Sequence, residues 1–273
     1  MAEHIWDSFA RLNAGERFKR QSAEMGSEVT EALVQEARVV PGMSVLDVAC
    51  GAGEPAISIA LRLGGTGEVV GIDTAAGPLE VARERARVRS LKNIDFLKAD
   101  VHQLPFPNAS FDRVTSRLGV MFFGDLLLAL HEVSRVLKPG GRVALLTWGP
   151  MEQPYFDMTI GTIRRMRPEL TIPDTAQKMF RYGTPRTLEK LMRIAGFLKC
   201  QDRVHSLGWD WHGTPEELWD YFRSVTVPFR ELLDKVEGDE EVDAAVISAL
   251  RERYDGEYVR IKANMVIATA EKD

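Results

Sequence analysis

The chain has 273 residues, 45% of them hydrophobic, which is enough to build one large α/β domain, or a core with a smaller cap, without covalent staples. A net charge of -5 disfavours non-specific binding to nucleic acid, which needs a basic surface to displace counterions, so a small molecule is the expected partner. The longest apolar stretch, 118–130, is short for a membrane span and is broken by Asp125. Met1-Ala2-Glu3-His4 lacks a secretion signal, and Cys50 and Cys200 make neither a disulfide framework nor a cysteine metal site. A cytoplasmic protein is expected, monomeric or homodimeric, with no membrane span and no metal.

Residues 1–38, with Trp6, Phe9 and Phe18, read as a helical amino-terminal arm that could close over the active site. Strands are then predicted over 44–48, 68–73, 94–98, 111–115 and 142–147, separated by amphipathic helices. The helix at 55–63 presents Ile57, Ile59, Ala60 and Leu61; Pro55 suits its first turn, where a missing N–H costs nothing. The next, 78–90, turns Leu79, Val81, Ala82, Ala86 and Val88 inward and Arg83, Glu84, Arg85, Arg87 and Arg89 largely outward, as a solvated face. A helix over 126–137 is expected to stop at Lys138-Pro139-Gly140-Gly141. Strands alternating with helices imply a parallel sheet with right-handed crossovers.

After Thr147 the pattern changes. Prolines at 150, 154, 168, 173 and 185 mark 148–185 as an irregular or partly helical insertion. A helix from Thr184-Pro185 to Gly196, a strand at 199–207, a second helical insertion at 214–255 and a last strand at 259–269 follow. The expected organisation is an arm (1–38), a core (39–147), an insertion (148–185), core again (186–213), a helical insertion (214–255) and the last core strand (256–273).

The strand entering the turn, Val45-Leu46-Asp47-Val48-Ala49-Cys50-Gly51-Ala52-Gly53, and a second strand ending on Asp73 about twenty residues later point to a cofactor carrying adenosine. Glycines let backbone approach a ligand and let the next helix start close to the sheet, because they have no Cβ to collide. A carboxylate at position 73 can accept from both ribose hydroxyls, contacts worth roughly 1.5–3 kcal/mol.

Four motifs in order carry a resemblance to class I S-adenosylmethionine-dependent methyltransferases, most closely their ubiquinone/menaquinone C-methyltransferase-like branch. They are the 45–53 segment above; Val69-Val70-Gly71-Ile72-Asp73; Ala99-Asp100-Val101-His102-Gln103-Leu104-Pro105-Phe106 followed by Ser110-Phe111-Asp112; and Arg135-Val136-Leu137-Lys138-Pro139-Gly140-Gly141. The resemblance covers about residues 40 to 150. It implies a Rossmann-like, doubly wound, mostly parallel seven-stranded sheet with an antiparallel last strand and helical lid insertions. It also implies a methyl group moved from S-adenosyl-L-methionine to carbon or oxygen of an apolar small-molecule acceptor.

By the same resemblance, Ala49, Cys50, Gly51 and Gly53 hold the methionine portion, with Asp47 orienting its ammonium directly or through water. Asp73 and Thr74 serve the ribose, Leu79 and Pro78 pack on the adenine, Asp100 and the Val101 amide read its edge, and Arg117 and Leu118 flank the methionine end. Two departures stand out: Ala49 where the family frequently has glycine, and Glu54-Pro55 after the turn. A nicotinamide oxidoreductase uses the same crevice, but Glu54 sets an anion where its pyrophosphate would sit. A sulfonium cofactor has no phosphate to repel. A cofactor-binding protein without catalysis is the other alternative.

In that fold the connections leaving strands five and six open on the cofactor side, so both insertions are expected to form a lid. Trp148, Tyr155, Phe156, Phe180 and Tyr182 in one, and Trp219, Tyr221, Phe222 and Phe229 in or near the other, suit an apolar cavity, although most are expected to form the lid's own core. Met121, Phe122, Trp148 and Tyr155 are the expected substrate contacts. Ser116-Arg117-Leu118-Gly119 stands where an amide or base-amine methylase would carry Asn-Pro-Pro-Tyr, and no acidic metal cluster suggests a catechol enzyme. Methyl transfer depends chiefly on alignment, so a general base is optional; His102, Tyr155, His205 and His212 are the candidates.

Overall fold

The computed structural model describes Trp6 and residues 8–273; residues 1–5 and 7 of the expected arm, and the Phe9 side chain, lie outside what is described. The arm consists of α1 (Phe9–Arg17), α2 (Lys19–Met25) and α3 (Ser27–Glu36). The core then runs β1 (Ser44–Val48), α4 (Ala56–Leu63), β2 (Glu68–Asp73), α5 (Ala76–Val88), β3 (Ile94–Lys98), β4 (Phe111–Arg117), α6 (Leu126–Val136) and β5 (Leu137–Trp148). The first insertion holds α7 (Pro154–Phe156), a π-turn, α8 (Thr162–Met166) and α9 (Asp174–Gln177), and α10 (Thr187–Ile194) and β6 (Leu198–Gly208) follow it. Next come β7 (Trp211–His212), α11 (Pro215–Val225), α12 (Arg230–Asp234), α13 (Glu240–Arg251), β8 (Tyr258–Val259) and β9 (Lys262–Glu271).

The seven-stranded sheet has the order β3-β2-β1-β4-β5-β9-β6, with β1 to β5 parallel and β9 antiparallel to both neighbours. The expected doubly wound α/β sheet with an antiparallel last strand is therefore the fold observed. Order reverses at β1 and β4, and such a switch point opens a crevice beyond the carboxyl ends of the strands. Val45, Leu46 and Val48 of β1 are buried, as are Val143 to Leu146 of β5 and Met265 to Ala268 of β9, as expected for strands covered on both faces.

Local chemistry sets the helix ends. Asp125 caps α6 by accepting from the Leu128 amide, and Thr214 forms a capping box with Glu217 ahead of Pro215 at the start of α11. Gly64, in the left-handed region, ends α4.

Three boundaries differ from expectation. Helix α6 stops at Val136 because Leu137 already pairs with Phe111; Lys138-Pro139-Gly140-Gly141 is a bulge inside β5, where the register moves to Arg113 opposite Arg142. Strand β4 continues to Arg117, which pairs with Leu146. The expected strand at 259–269 is divided: Tyr258 and Val259 form a separate ribbon with Trp211 and His212, and β9 begins at Lys262.

The arm is tied to the rest of the molecule at several points. Buried Arg142 donates to the Glu36 carbonyl and to Thr269 Oγ1. Arg17 pairs with Asp220 of α11 at 2.8 Å, and Phe18 meets Trp211 and Tyr221 edge-on at 5.5 and 5.9 Å. Among the described residues no helix is long and apolar enough to cross a membrane.

Candidate functional site

The turn after β1 is shaped by three consecutive needs. Ala49 and Gly51 both take left-handed backbone, φ 56° and 52°, so that the chain reverses within a few residues. A Cβ on Gly51 would meet nothing within 4 Å, so its bare backbone faces open space in which a ligand can approach. Gly53, at φ 106°, is different: a Cβ there would lie 2.6 Å from Ile57 Cδ1 and 3.3 Å from Ala82 Cβ. Its glycine brings α4 and α5 together, the close helix packing that this kind of turn requires.

Two carboxylates hold that turn from opposite sides. Asp73 accepts from the Gly51 amide and the Ala75 amide, both at 2.9 Å, which uses two of about four lone-pair positions and leaves the rest for a ligand. Asp47 is fully buried behind the turn, where Thr115 Oγ1 donates to Oδ1 at 2.8 Å and the Ala56 amide to Oδ2 at 3.2 Å. Burial pushes its pKa up to about 8, with Glu54 adding to the rise against the hydrogen bonds and Arg117. Asp47 is therefore a brace of the turn rather than a wall of the cavity.

Beyond the strand ends lies one cavity of about 1720 Å³. Ala49, Cys50, Gly51, Asp73, Thr74, Asp100, Val101, Arg117 and Leu118 line it, together with Met121, Phe122, Trp148 and Tyr155. Most of the residues expected from the sequence are thus brought to one place. Leu79 is not; it is buried in the core, and its neighbours Pro78 and Val81 face the cavity in its stead. Gly53 and Asp47 support from behind. Cys50 packs under the turn against Gly71, and burial raises its thiol, so it has the character of a core residue.

A model of the ubiE/COQ5 methyltransferase family matches residues 27–170, more than half of the chain. The chain belongs to this family. Its methyl donor is accordingly S-adenosylmethionine, as the motifs imply, and the comparisons give no support to a nicotinamide enzyme or a non-catalytic binding protein. A demethylmenaquinone methyltransferase of Lactococcus lactis is 31% identical over 180 residues, 61% of this chain and 70% of the relative. One from Staphylococcus aureus is 40% identical over 124 residues; this chain spans about half (51%) of its length. Among solved structures, a SAM-dependent methyltransferase from Aquifex aeolicus aligns with a TM-score of 0.56 at 22% identity, covering 73% of this chain and 94% of that one, a likeness of fold.

Within this methyltransferase the four candidate bases fare differently. His102 donates its backbone amide to Asp100 Oδ1 at 2.9 Å, and its Nδ1 lies 2.6 Å from the same oxygen. Its Nε2 accepts from the Asp125 amide at 3.1 Å, which fixes Nδ1 as the protonated nitrogen. Both ring nitrogens are spent, and the imidazole serves as a strut between the Asp100 loop and the cap of α6. Burial pulls Asp100 upward, but the His102 hydrogen bonds outweigh it and hold the carboxyl below its usual range.

His205 lies on β6 opposite Met265, and His212 on β7 sits between Glu24 and Glu257, stacked on Tyr258; neither lines the cavity. Tyr155 does line it, but burial raises its phenol, so at neutral pH it is a donor and a poor base.

Arg117 reaches from the end of β4 under the arm. Its Nη1 donates to Thr30 Oγ1 at 2.9 Å, and Gly26 makes the room: a Cβ there would stand 2.7 Å from Nη2. Burial lowers its pKa against the attraction of Glu54, Tyr221 and Asp47. A guanidinium here calls for an anion.

The walls away from Asp73 are aromatic. Trp148 stacks on Tyr155 at 5.9 Å and meets Phe156 and Trp209 edge-on. Phe180, Tyr182, Trp219, Phe222 and Phe229 do not line the cavity; Phe180 and Phe229 pack on Phe156, and Trp219 on Phe222. Trp209 is a cavity residue that the sequence reading passed over. Its signal was its position just after β6, where that connection opens on the cofactor side. Residues of the arm, among them Arg11, Ser22, Met25 and Thr30, also line the cavity.

Proposed function

We propose that this methyltransferase acts on an apolar aromatic small molecule of the quinol type, held in the cavity wall formed by the insertions. The observation that carries the reading is one continuous cavity with Asp73 and the open backbone of Gly51 on one side and Trp148, Tyr155, Phe156 and Trp209 on the other. The Lactococcus and Staphylococcus relatives, demethylmenaquinone methyltransferases, support the same acceptor class.

The residues present fit the donor. Asp73 would take the ribose hydroxyls, with Thr74 beside it; Asp100 and the Val101 amide would take the adenine edge, with Pro78 against its face. The backbone of Ala49 to Gly51 would cradle the methionine portion, and Arg117, beside Leu118, would take its carboxylate. Asp47 and Gly53 would act from behind the turn. S-adenosylmethionine supplies a methyl group on a sulfonium, transferred to carbon or oxygen by in-line displacement. The protein's part is to align the acceptor and exclude water, which alone can supply roughly 7–11 kcal/mol. Met121 and Phe122 would contact the acceptor. Residues 148–185 and 214–255, with the arm, would act as the lid, in a cytoplasmic monomer or homodimer.

Isothermal titration with S-adenosylmethionine and S-adenosylhomocysteine tests the donor half, and binding of neither would refute it. Turnover on a reduced naphthoquinone, compared with amine and nucleic-acid acceptors, tests the acceptor half. Methylation of the amines with none of the quinol would refute it.

A further inference from the structure

The aromatic wall contains two hydrogen-bond donors that the fold itself does not use. Tyr155 lines the cavity and is only 4% exposed, and no acceptor for its hydroxyl is found among the described residues. Trp209, 6% exposed and also lining the cavity, carries a buried indole N–H that makes no hydrogen bond among the described residues. The two rings stand 6.0 Å apart at 71°, which sets the indole N–H beside the Tyr155 oxygen. Tyr221, the other tyrosine of the cavity, packs against Phe18 of the arm and Trp211.

An unpaired buried donor such as the Trp209 N–H costs about 1–3 kcal/mol, so its retention beside a tyrosine hydroxyl in an otherwise apolar wall needs an explanation. The surroundings narrow it. Trp148, Phe156, Met121 and Met179 supply apolar contact around the pair, which suits a flat ring. The pair itself offers donors and no charge, which suits an oxygen on that ring. Resting on the acceptor reading above, we propose that Tyr155 and Trp209 together recognise a ring oxygen of the acceptor, Tyr155 by direct donation and Trp209 as its positioning partner. The role deepens that reading: selectivity would turn on an oxygen-bearing ring and not on apolarity alone. A hydrocarbon of the same shape would leave both donors unpaired, and sites built to hydrogen-bond a substrate reject analogues that lack the group.

The test compares 2-naphthol with naphthalene by isothermal titration of the full chain saturated with S-adenosylhomocysteine, in wild type, Tyr155→Phe and Trp209→Phe. Wild type is expected to favour the naphthol by about fivefold to thirtyfold. Tyr155→Phe should bring that ratio close to one, and Trp209→Phe should reduce it partly. In Tyr155→Phe, naphthalene affinity, melting temperature and S-adenosylhomocysteine affinity should stay near wild type, which a merely structural role would not give; in Trp209→Phe the naphthol-to-naphthalene ratio, and not either affinity alone, is the readout, because the smaller ring also loses packing on Trp148. Absence of a preference in wild type, or an unchanged ratio in both variants, would overturn the proposal. Failure of S-adenosylhomocysteine to bind would instead overturn the donor-site reading, and the naphthol ratio, measured without it, would still decide this one.

Discussion

The Gly51 amide donates to Asp73 Oδ2 at 2.9 Å, so the turn after the first strand and the carboxylate ending the second form one unit. A ligand that engages Asp73 also meets a turn already set in shape. Pre-organisation of this kind lowers the ordering cost of binding.

Asp73→Ala should therefore weaken S-adenosylhomocysteine binding by roughly 1.5–3 kcal/mol, about tenfold to 150-fold, through the lost ribose contacts. Titration calorimetry reads this directly. An affinity within twofold of wild type would remove Asp73 from the ribose role.

Gly51 and Gly53 separate affinity from stability. Gly51→Ala places a Cβ in open space and costs only the left-handed backbone, about 1–2 kcal/mol, while obstructing the ligand's approach. Gly53→Ala adds a collision with Ile57 at a φ of 106°, outside the left-handed region that Gly51 occupies, and overpacking contributes roughly 1–3 kcal/mol on top of that larger backbone cost. Thermal melts should show the larger loss for Gly53→Ala, and calorimetry the larger loss of affinity relative to stability for Gly51→Ala.

Asp47 makes stability depend on pH. Its pKa is about 8 in the folded chain against an ordinary value of 3.8, so between these pH values the folded state holds a proton that the unfolded state has released. This group's contribution thus falls as pH rises from about 4 to 8 and is level above that. Asp47→Asn should flatten that slope. Melting curves from pH 5 to 8 on both proteins check the sign.

Arg117 gives a test with opposite signs in the free and bound states. No carboxylate among the described residues forms an ion pair with Arg117, and replacing a buried charge that lacks such a pair by an apolar residue relieves its desolvation, so Arg117→Met should keep or raise the melting temperature of the free protein. The same change should weaken S-adenosylhomocysteine while leaving 5′-methylthioadenosine, which lacks the carboxylate, nearly unaffected. Equal losses for both ligands would place the effect elsewhere.

Much of this was legible in the sequence, for identifiable reasons. The strands and the turn announce themselves because buried parallel strands are continuous apolar runs, and the acids at their ends fall at fixed places in such a sheet. Boundaries were less legible. Lys138-Pro139-Gly140-Gly141 has the composition of a helix stop, but Leu137 finds a partner in Phe111, and tertiary pairing overrides the local signal. Leu79 and Pro78 are adjacent, and only the rotation of α5 decides which of them faces the cavity. His102 looked available as a base because nothing in the sequence reveals that its two nitrogens meet Asp100 and the Asp125 amide. Trp209 was missed because a two-residue ribbon, β7 with β8, has too little pattern to mark what precedes it.

The most direct measurement of the central claim is incubation of the full chain with methyl-labelled S-adenosylmethionine and an equimolar mixture of a reduced naphthoquinone, a primary amine and a short nucleic acid, followed by mass identification of the labelled product. The account predicts label on a ring carbon or oxygen of the naphthoquinol and on nothing else. Label on the amine or the nucleic acid, with the naphthoquinol unmodified, would contradict it.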